Sequence, residues 1–362
     1  GALNMTNFYG VGDLNVSGDV TWASGSTANI YNNAEMFVEG DWTFEAGSNV
    51  HLNNGYVEFM GSGHSLIYSR SDDSWFNHFG SDKDPGGFVA NENTPGSRPL
   101  VINGDFYGWP GSDFINYSFN SVILRGDEFY NPVGSEFHFP NGAMIFDGVD
   151  ATITANAGSY FNDLIISSSG TVQLQDPIVI EGDLLIESGV FQTNSHTIEI
   201  QGDWDNDVGF SAFVQGTGTV IFNGTGIQFV EDESFYTLEL ANPWGDLRFL
   251  TGASYCTNYE WTQGAMRVCG GSFTAYDLED DGIFGTITVT DGTLNLHQDP
   301  SQYVDLRGFL TISGGTMNVN GGGDDSFWPY NNDASITMSG GVLDFKDVGI
   351  DVRNSAYTFS ED

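Results

Sequence analysis

In the stretch 310–319, LTISGGTMNV, apolar residues take every second place: Leu310 and Ile312 before a Gly-Gly pair, Met317 and Val319 after it. Such alternation marks a strand with one buried face, and Gly-Gly permits the positive φ of a tight bend. The layout recurs at 287–296 (ITVTDGTLNL) and 336–345 (ITMSGGVLDF). Aligned on the bend, Leu294, Met317 and Leu343 coincide, as do Leu296, Val319 and Phe345. The bend glycines Gly292, Gly315 and Gly341 are about 23 and then 26 residues apart, which is the length of one solenoid coil.

The pattern runs through most of the chain. GYVEF (55–59), GAMIF (142–146), GTVQL (170–174) and GTVIF (218–222) share the glycine-then-alternating form. A second motif opens other strands: EGDWTF (39–44), NGDFYG (103–108), EGDLLI (181–186) and QGDWDN (201–206), with RGDEFY (125–130) and RGFLTI (307–312) as looser copies. Val, Ile, Leu, Phe and Met take the inward positions, while Thr, Ser, Asn, Asp and Gln take the outward ones. These features predict an all-β chain, a right-handed parallel β-helix (β-solenoid) with coils of about 20–26 residues, forming one domain over 1–362. A string of β-sandwiches would use similar strands, but it calls for linkers between domains of about 100 residues, and the sequence has no linker. One segment breaks the rhythm. Residues 69–99, SRSDDSWFNHFGSDKDPGGFVANENTPGSRP, carry clustered turn residues and read as a loop extruded from the solenoid.

Charge narrows the partners. Nine Lys and Arg face 49 Asp and Glu, a formal −40, so phosphate-rich ligands are disfavoured: neither nucleic-acid binding nor attraction to anionic lipid is expected. No run approaches the apolar length of a membrane helix, and no signal peptide opens the chain, which reads as a mature or excised segment. Bridging Ca²⁺ would relieve so many carboxylates. The best local signal for it is Asp277, Glu279 and Asp281 followed by Gly282, the opening of a Ca²⁺ loop, although Thr288 stands where a bidentate carboxylate would close it. Cys256 and Cys269 are too few for a disulfide framework; they form one disulfide or remain two buried thiols.

Catalytic motifs are missing: there is no HExxH, GxSxG or phosphate-cradling loop, and with 49 acids no carboxylate pair is informative. No catalytic residue is assigned, and the chain reads as a non-enzyme. Within 69–99, Trp75, Phe76 and Phe79 could offer a flat apolar face to a sugar, with Arg70, Asp72 and Asp73 binding its hydroxyls; the plainer reading has the aromatics pinning the loop to the coil. Trp42 and Trp204 hold equivalent repeat positions and read as stacked structural residues, whereas Trp109, Trp244 and Trp328 each lie near a proline and are candidates for exposed contact surfaces. The RGD at 125–127 is one instance of the xGD repeat rather than a receptor motif.

Together, GDW, GTVIFNGTG, LEDDGIFGTITVTDGTLNL and LTISGGTMNV resemble the repeat regions of long secreted surface proteins of bacteria with a type IX secretion system, and the resemblance spans nearly the whole chain. It implies an extracellular β-helical stalk, fibre or adhesin, usually with a C-terminal sorting domain. Nothing here matches that domain; the chain ends in YTFSED. Because solenoid ends expose unpaired strand edges, the expected partners are neighbouring copies or further repeats end to end, together with surface glycans. The alternatives are a carbohydrate-binding module, or a polysaccharide lyase or hydrolase of the kind β-helices also support.

Overall fold

Alternating apolar positions can be buried only if each strand lies beside another of the same phase, and the fold meets that demand by stacking coils. A computed structural model describes residues 3–10, 13–30, 34–278, 285–297, 304–306, 308–320, 326–329, 335–345 and 349–350. The chain is a parallel β-solenoid: the pairings are parallel, and strands about one coil apart in sequence lie side by side. Contacts group into two compact units, Gly1–Gln192 and Thr193–Asp362.

In the first unit the strands fall into three stacks. One contains Leu14–Val16, Glu35–Val38, Tyr56–Gly61, His78–Lys83, Phe106–Gly108, Glu128–Tyr130 and Ala151–Thr154. Its inward ladder runs Met36, Val57, Phe79, Phe106, Phe129, Ile153, each of them essentially buried. Phe79 stacks on Phe106 at 5.3 Å, and Phe106 on Phe129 at 4.6 Å, with the rings within 15° of parallel. Register thus brings like side chains face to face, adding ring contact to plain burial. Trp42 is fully buried among Trp22, Phe44, Phe59 and Phe76, as its repeat position implied.

Residues 69–99 are not an extruded loop. His78–Lys83 and Gly87–Asn91 are full members of two stacks, paired on both sides. Trp75 bridges to His51, Phe76 bridges to Ile102, and both Phe76 and Phe79 are fully buried. The alternation fails here because polar groups face inward and satisfy one another. Ser81 Oγ lies 2.5 Å from Ser112 Oγ, and Asn91 Nδ2 donates to Asn116 Oδ1 at 2.8 Å. Lys83, only 2% exposed, donates to the carbonyls of Met60 (2.7 Å) and Glu39 (3.2 Å). Buried polar groups survive when they are hydrogen-bonded, and a hydropathy pattern cannot see that bonding.

The xGD motif now has a physical cause. A methyl added to Gly126 would overlap the backbone of Gly104 one coil earlier, and one on Gly40 would overlap Gly18, so the corner admits only glycine. The aspartate then reaches forward. Asp19 Oδ1 accepts from Asp41 N–H (3.0 Å), Asp41 Oδ1 from Leu66 N–H (2.9 Å), and Asp105 Oδ1 from the N–H groups of Asp127 (2.8 Å) and Glu128 (3.0 Å). Asp163, which follows Asn162 rather than a glycine, serves Asp183 N–H in the same way, at 3.0 Å. In RGD, Arg125 pairs with Asp147 at 2.9 Å, so the triplet is a coil corner.

The second unit repeats the logic with ladders that mix aliphatic and aromatic residues. Phe273, Leu294, Met317 and Leu343 stand in register, as do Ala275, Leu296, Val319 and Phe345, so the alignment drawn from LTISGGTMNV is the observed stack. Gly292, Gly315 and Gly341 have φ of 81°, 66° and 73°, the left-handed bend their spacing called for. The disulfide expected as one outcome does not form. Cys256, inside strand Ala253–Val268, and Cys269, just past its end, are both free thiols. Cys256 is fully buried, and burial pushes its thiol well up.

Trp204, also buried as expected, donates to Glu233 Oε2 (3.1 Å), which accepts from Asn206 as well (2.7 Å). Glu233 is itself fully buried, and that burial raises its carboxyl to about 7 against the three donors that favour the anion. Between its ordinary value and about 7 the folded chain therefore holds a proton that the unfolded chain has lost, and stability falls as pH rises through that window. Glu233→Gln cannot titrate, so the wild-type advantage over it should shrink by on the order of 3 kcal/mol from below pH 4.5 to pH 8. Urea melts across that range check this; a constant gap refutes it. Separately, Asp163→Ala should lower stability by about 1–2 kcal/mol in the same assay, with Asp163→Asn losing clearly less, because the amide oxygen still accepts.

Candidate ligand groove

In the first stack of the first unit, the residues that alternate with the buried ladder face outward. Phe37 stands opposite Glu58, Glu58 opposite Gly80, Gly80 opposite Tyr107, and Tyr107 opposite Tyr130. In the row beside it, Glu35 stands opposite Tyr56. Gly80 is a gap among large side chains. A methyl there would overlap Tyr56 Oη, so the missing side chain is what lets the Tyr56 ring lie across the sheet. Trp109, just after strand Phe106–Gly108, closes one side and is 43% exposed. The result is an open groove of about 650 Å³, lined by five aromatic rings and the carboxylates of Glu35, Glu58 and Glu128. That volume lies within the range typical of small-molecule sites.

Hydrogen bonds link the walls. Trp109 Nε1–H donates to Tyr56 Oη (3.4 Å), whose own proton goes to Glu58 Oε1 (3.3 Å). Tyr107 Oη donates to Asp105 Oδ2 at 3.2 Å, and His78 Nδ1 lies 3.2 Å from the same oxygen. Burial pushes the Glu58 carboxyl up, and the nearby Asp82 charge adds to it, against the opposing bond from Tyr56. Tyr56 is pushed far up, first by burial and then by the Glu58 charge, while the Trp109 bond opposes. Tyr107 rises to about 12 through burial and the Asp105 carboxylate. Burial would raise Asp105 too, but His78 and two backbone N–H groups more than offset it, and its carboxyl is held low.

Of the residues singled out from sequence, Trp109 belongs to this groove. The set in 69–99 does not assemble. Arg70 pairs with Glu45 (3.1 Å), Asp72 pairs with Arg98 (3.0 Å), and Asp73 is exposed. Trp75 stacks on the His51 imidazole at 3.5 Å, so its ring pins the coil, the plainer of the two readings. In the second unit Trp244 is 86% exposed above a shallow trough of about 550 Å³ lined by Gly245, Gly264 and Gly285. Trp328 lies in strand Ser326–Pro329, but its side chain is outside the described residues, as are Glu279, Asp281 and the Asp277 side chain. Among the described residues no group of three or more His, Cys, Asp or Glu is placed to hold a metal ion. None of the described helices is long and apolar enough to cross a membrane.

Sequence reasoning missed Phe37, Tyr56, Tyr107, Tyr130 and the three glutamates. The signal was present: GYVEF, DFYG and DEFY each put a tyrosine at an outward position of the same stack. No protein-family model, curated protein or solved structure matches the chain.

Tyr56→Phe removes the hydrogen bond that opposes the rise of Glu58, so Glu58 should titrate higher still, as followed by carboxyl carbon-13 shifts. An unchanged Glu58 titration would mean that the Trp109–Tyr56–Glu58 relay does not form.

Proposed function

We propose that the chain is a non-catalytic structural segment of an extracellular bacterial surface protein, a fibre, stalk or adhesin, whose coils act as scaffold. The observation that carries this reading is that outward polar positions are laddered as well as inward apolar ones. Asn318 donates to Asn295 (2.8 Å) and Asn295 to Thr274 (3.0 Å) across successive coils. Side chains that bond mainly to their counterparts one coil away stiffen the stack, and they leave few groups free for chemistry. Further repeats or neighbouring copies would meet the terminal coils, since open strand edges pair readily. A structural Ca²⁺ at Asp277, Glu279 and Asp281 belongs to the same reading.

A second reading, binding of surface glycans, is favoured by the row of Tyr107 and Tyr130 beside the half-exposed Trp109. The two are compatible, because an adhesin needs both a scaffold and a contact surface.

The purified chain should form filaments or end-to-end assemblies with rising concentration, seen by negative-stain microscopy and sedimentation. It should also leave polysaccharides intact. Release of new chain ends from an acidic polysaccharide, abolished by a chelator, would replace this proposal with the lyase reading.

A further inference from the structure

Every donor on the groove's Trp109, Tyr56 and Tyr107 is committed to a neighbour within the wall: Trp109 to Tyr56, Tyr56 to Glu58, and Tyr107 to Asp105. The hydroxyl of Tyr130 is the one lining donor without a partner among the described residues. What the groove turns toward solvent is therefore aromatic faces and carboxylate acceptors. No Lys or Arg lines it. Nor do the described residues supply a spare cation nearby: each described arginine pairs with a carboxylate of the chain, Arg70, Arg98 and Arg125 in this unit and Arg248 and Arg267 in the other. Lys83 is buried against backbone carbonyls.

The complement of rings plus carboxylates is an organic cation. A ring's negative face attracts an ammonium group, and a carboxylate that has been partly stripped of water gains most from a positive partner. Tyr56 meets Tyr107 at 6.2 Å and 70°, and Tyr107 meets Tyr130 at 6.4 Å and 60°, so the rings are inclined around a hollow rather than laid out as one flat shelf. Glu58, already driven toward its neutral form by burial and by Asp82, would be relieved by the same charge.

We infer that this groove binds a polysaccharide bearing free protonated amines, an amino-sugar chain, with the ammonium groups at Glu35, Glu58 and Glu128 and the sugar rings against Tyr107, Trp109 and Tyr130. A lysine-rich peptide carries the same charge. However, one common way for an extended peptide to dock, addition to a free sheet edge, is closed here, because the central strands Tyr56–Gly61, His78–Lys83 and Phe106–Gly108 are paired on both sides. The groove lies on a sheet face and offers Tyr107 and Tyr130 in successive coils, inclined to each other, so that neighbouring sugar units can each meet one ring. The polymer identity rests on the surface-glycan reading above; the ammonium preference does not.

Calorimetric titration of the intact chain tests it, with a glucosamine oligosaccharide, its fully N-acetylated counterpart and an oligolysine of equal charge as probes. The free-amine sugar should bind about tenfold more tightly than the acetylated one, and more weakly as salt rises. Glu58→Gln, which keeps an acceptor for Tyr56, and Trp109→Ala on the open rim should each weaken it severalfold. Equal binding of the acetylated sugar would overturn the ammonium assignment, and tighter binding of oligolysine would overturn the polymer. Wild-type affinity in both variants would remove the groove from the interaction. Normal filaments without any ammonium binding would sink this inference alone and leave the scaffold reading standing.

Discussion

The parallel, in-register hydrogen bonding of one coil to the next is the constraint on which everything else depends. Each strand finds its backbone partners about 17 to 27 residues away, so the chain cannot satisfy its own N–H and C=O groups locally as a helix does. Once strands are locked in phase, inward side chains must match those above and below. A Phe invites a Phe at 4.6 Å, and a serine must find another serine. The repeats in the sequence are the imprint of this rule, and they would be kept whatever ligand the surface met.

That rule also explains which parts of the structure were legible. Leu294, Met317 and Leu343 could be aligned from sequence because aliphatic residues at inward positions produce an unbroken period of two. The bends could be placed because Gly292, Gly315 and Gly341 supply a backbone conformation that other residues enter at a cost. Residues 69–99 hide their place in the stack for the converse reason. Ser81, Lys83 and Asn91 point inward, and only the positions of Ser112, Met60 O and Asn116 show that they are at home there. Hydropathy reports solvent preference, whereas burial depends on partners far along the chain.

The groove was legible in part. Trp109 was visible as a tryptophan beside a proline, but its neighbours lie on strands more than one coil apart, and their convergence depends on Gly80. In sequence, a glycine at an outward position looks like one more turn residue. In the folded coil it is the hole over which Tyr56 reclines, and it joins rings from both sides into one surface. The acids are equally anonymous among 49 carboxylates, until register sets Glu35, Glu58 and Glu128 on one face and leaves no base among them.

The corner aspartates give the stack a polarity. Asp19, Asp41 and Asp105 each accept from the coil that follows, so a finished coil presents waiting acceptors on its C-terminal side. A chain ordering itself from its N-terminal end would meet a ready template at every step, whereas one ordering in the opposite sense would have to hold its incoming N–H groups in place before their acceptors arrived. The corner is thus directional: at these turns a side-chain oxygen of one coil awaits an N–H of the next.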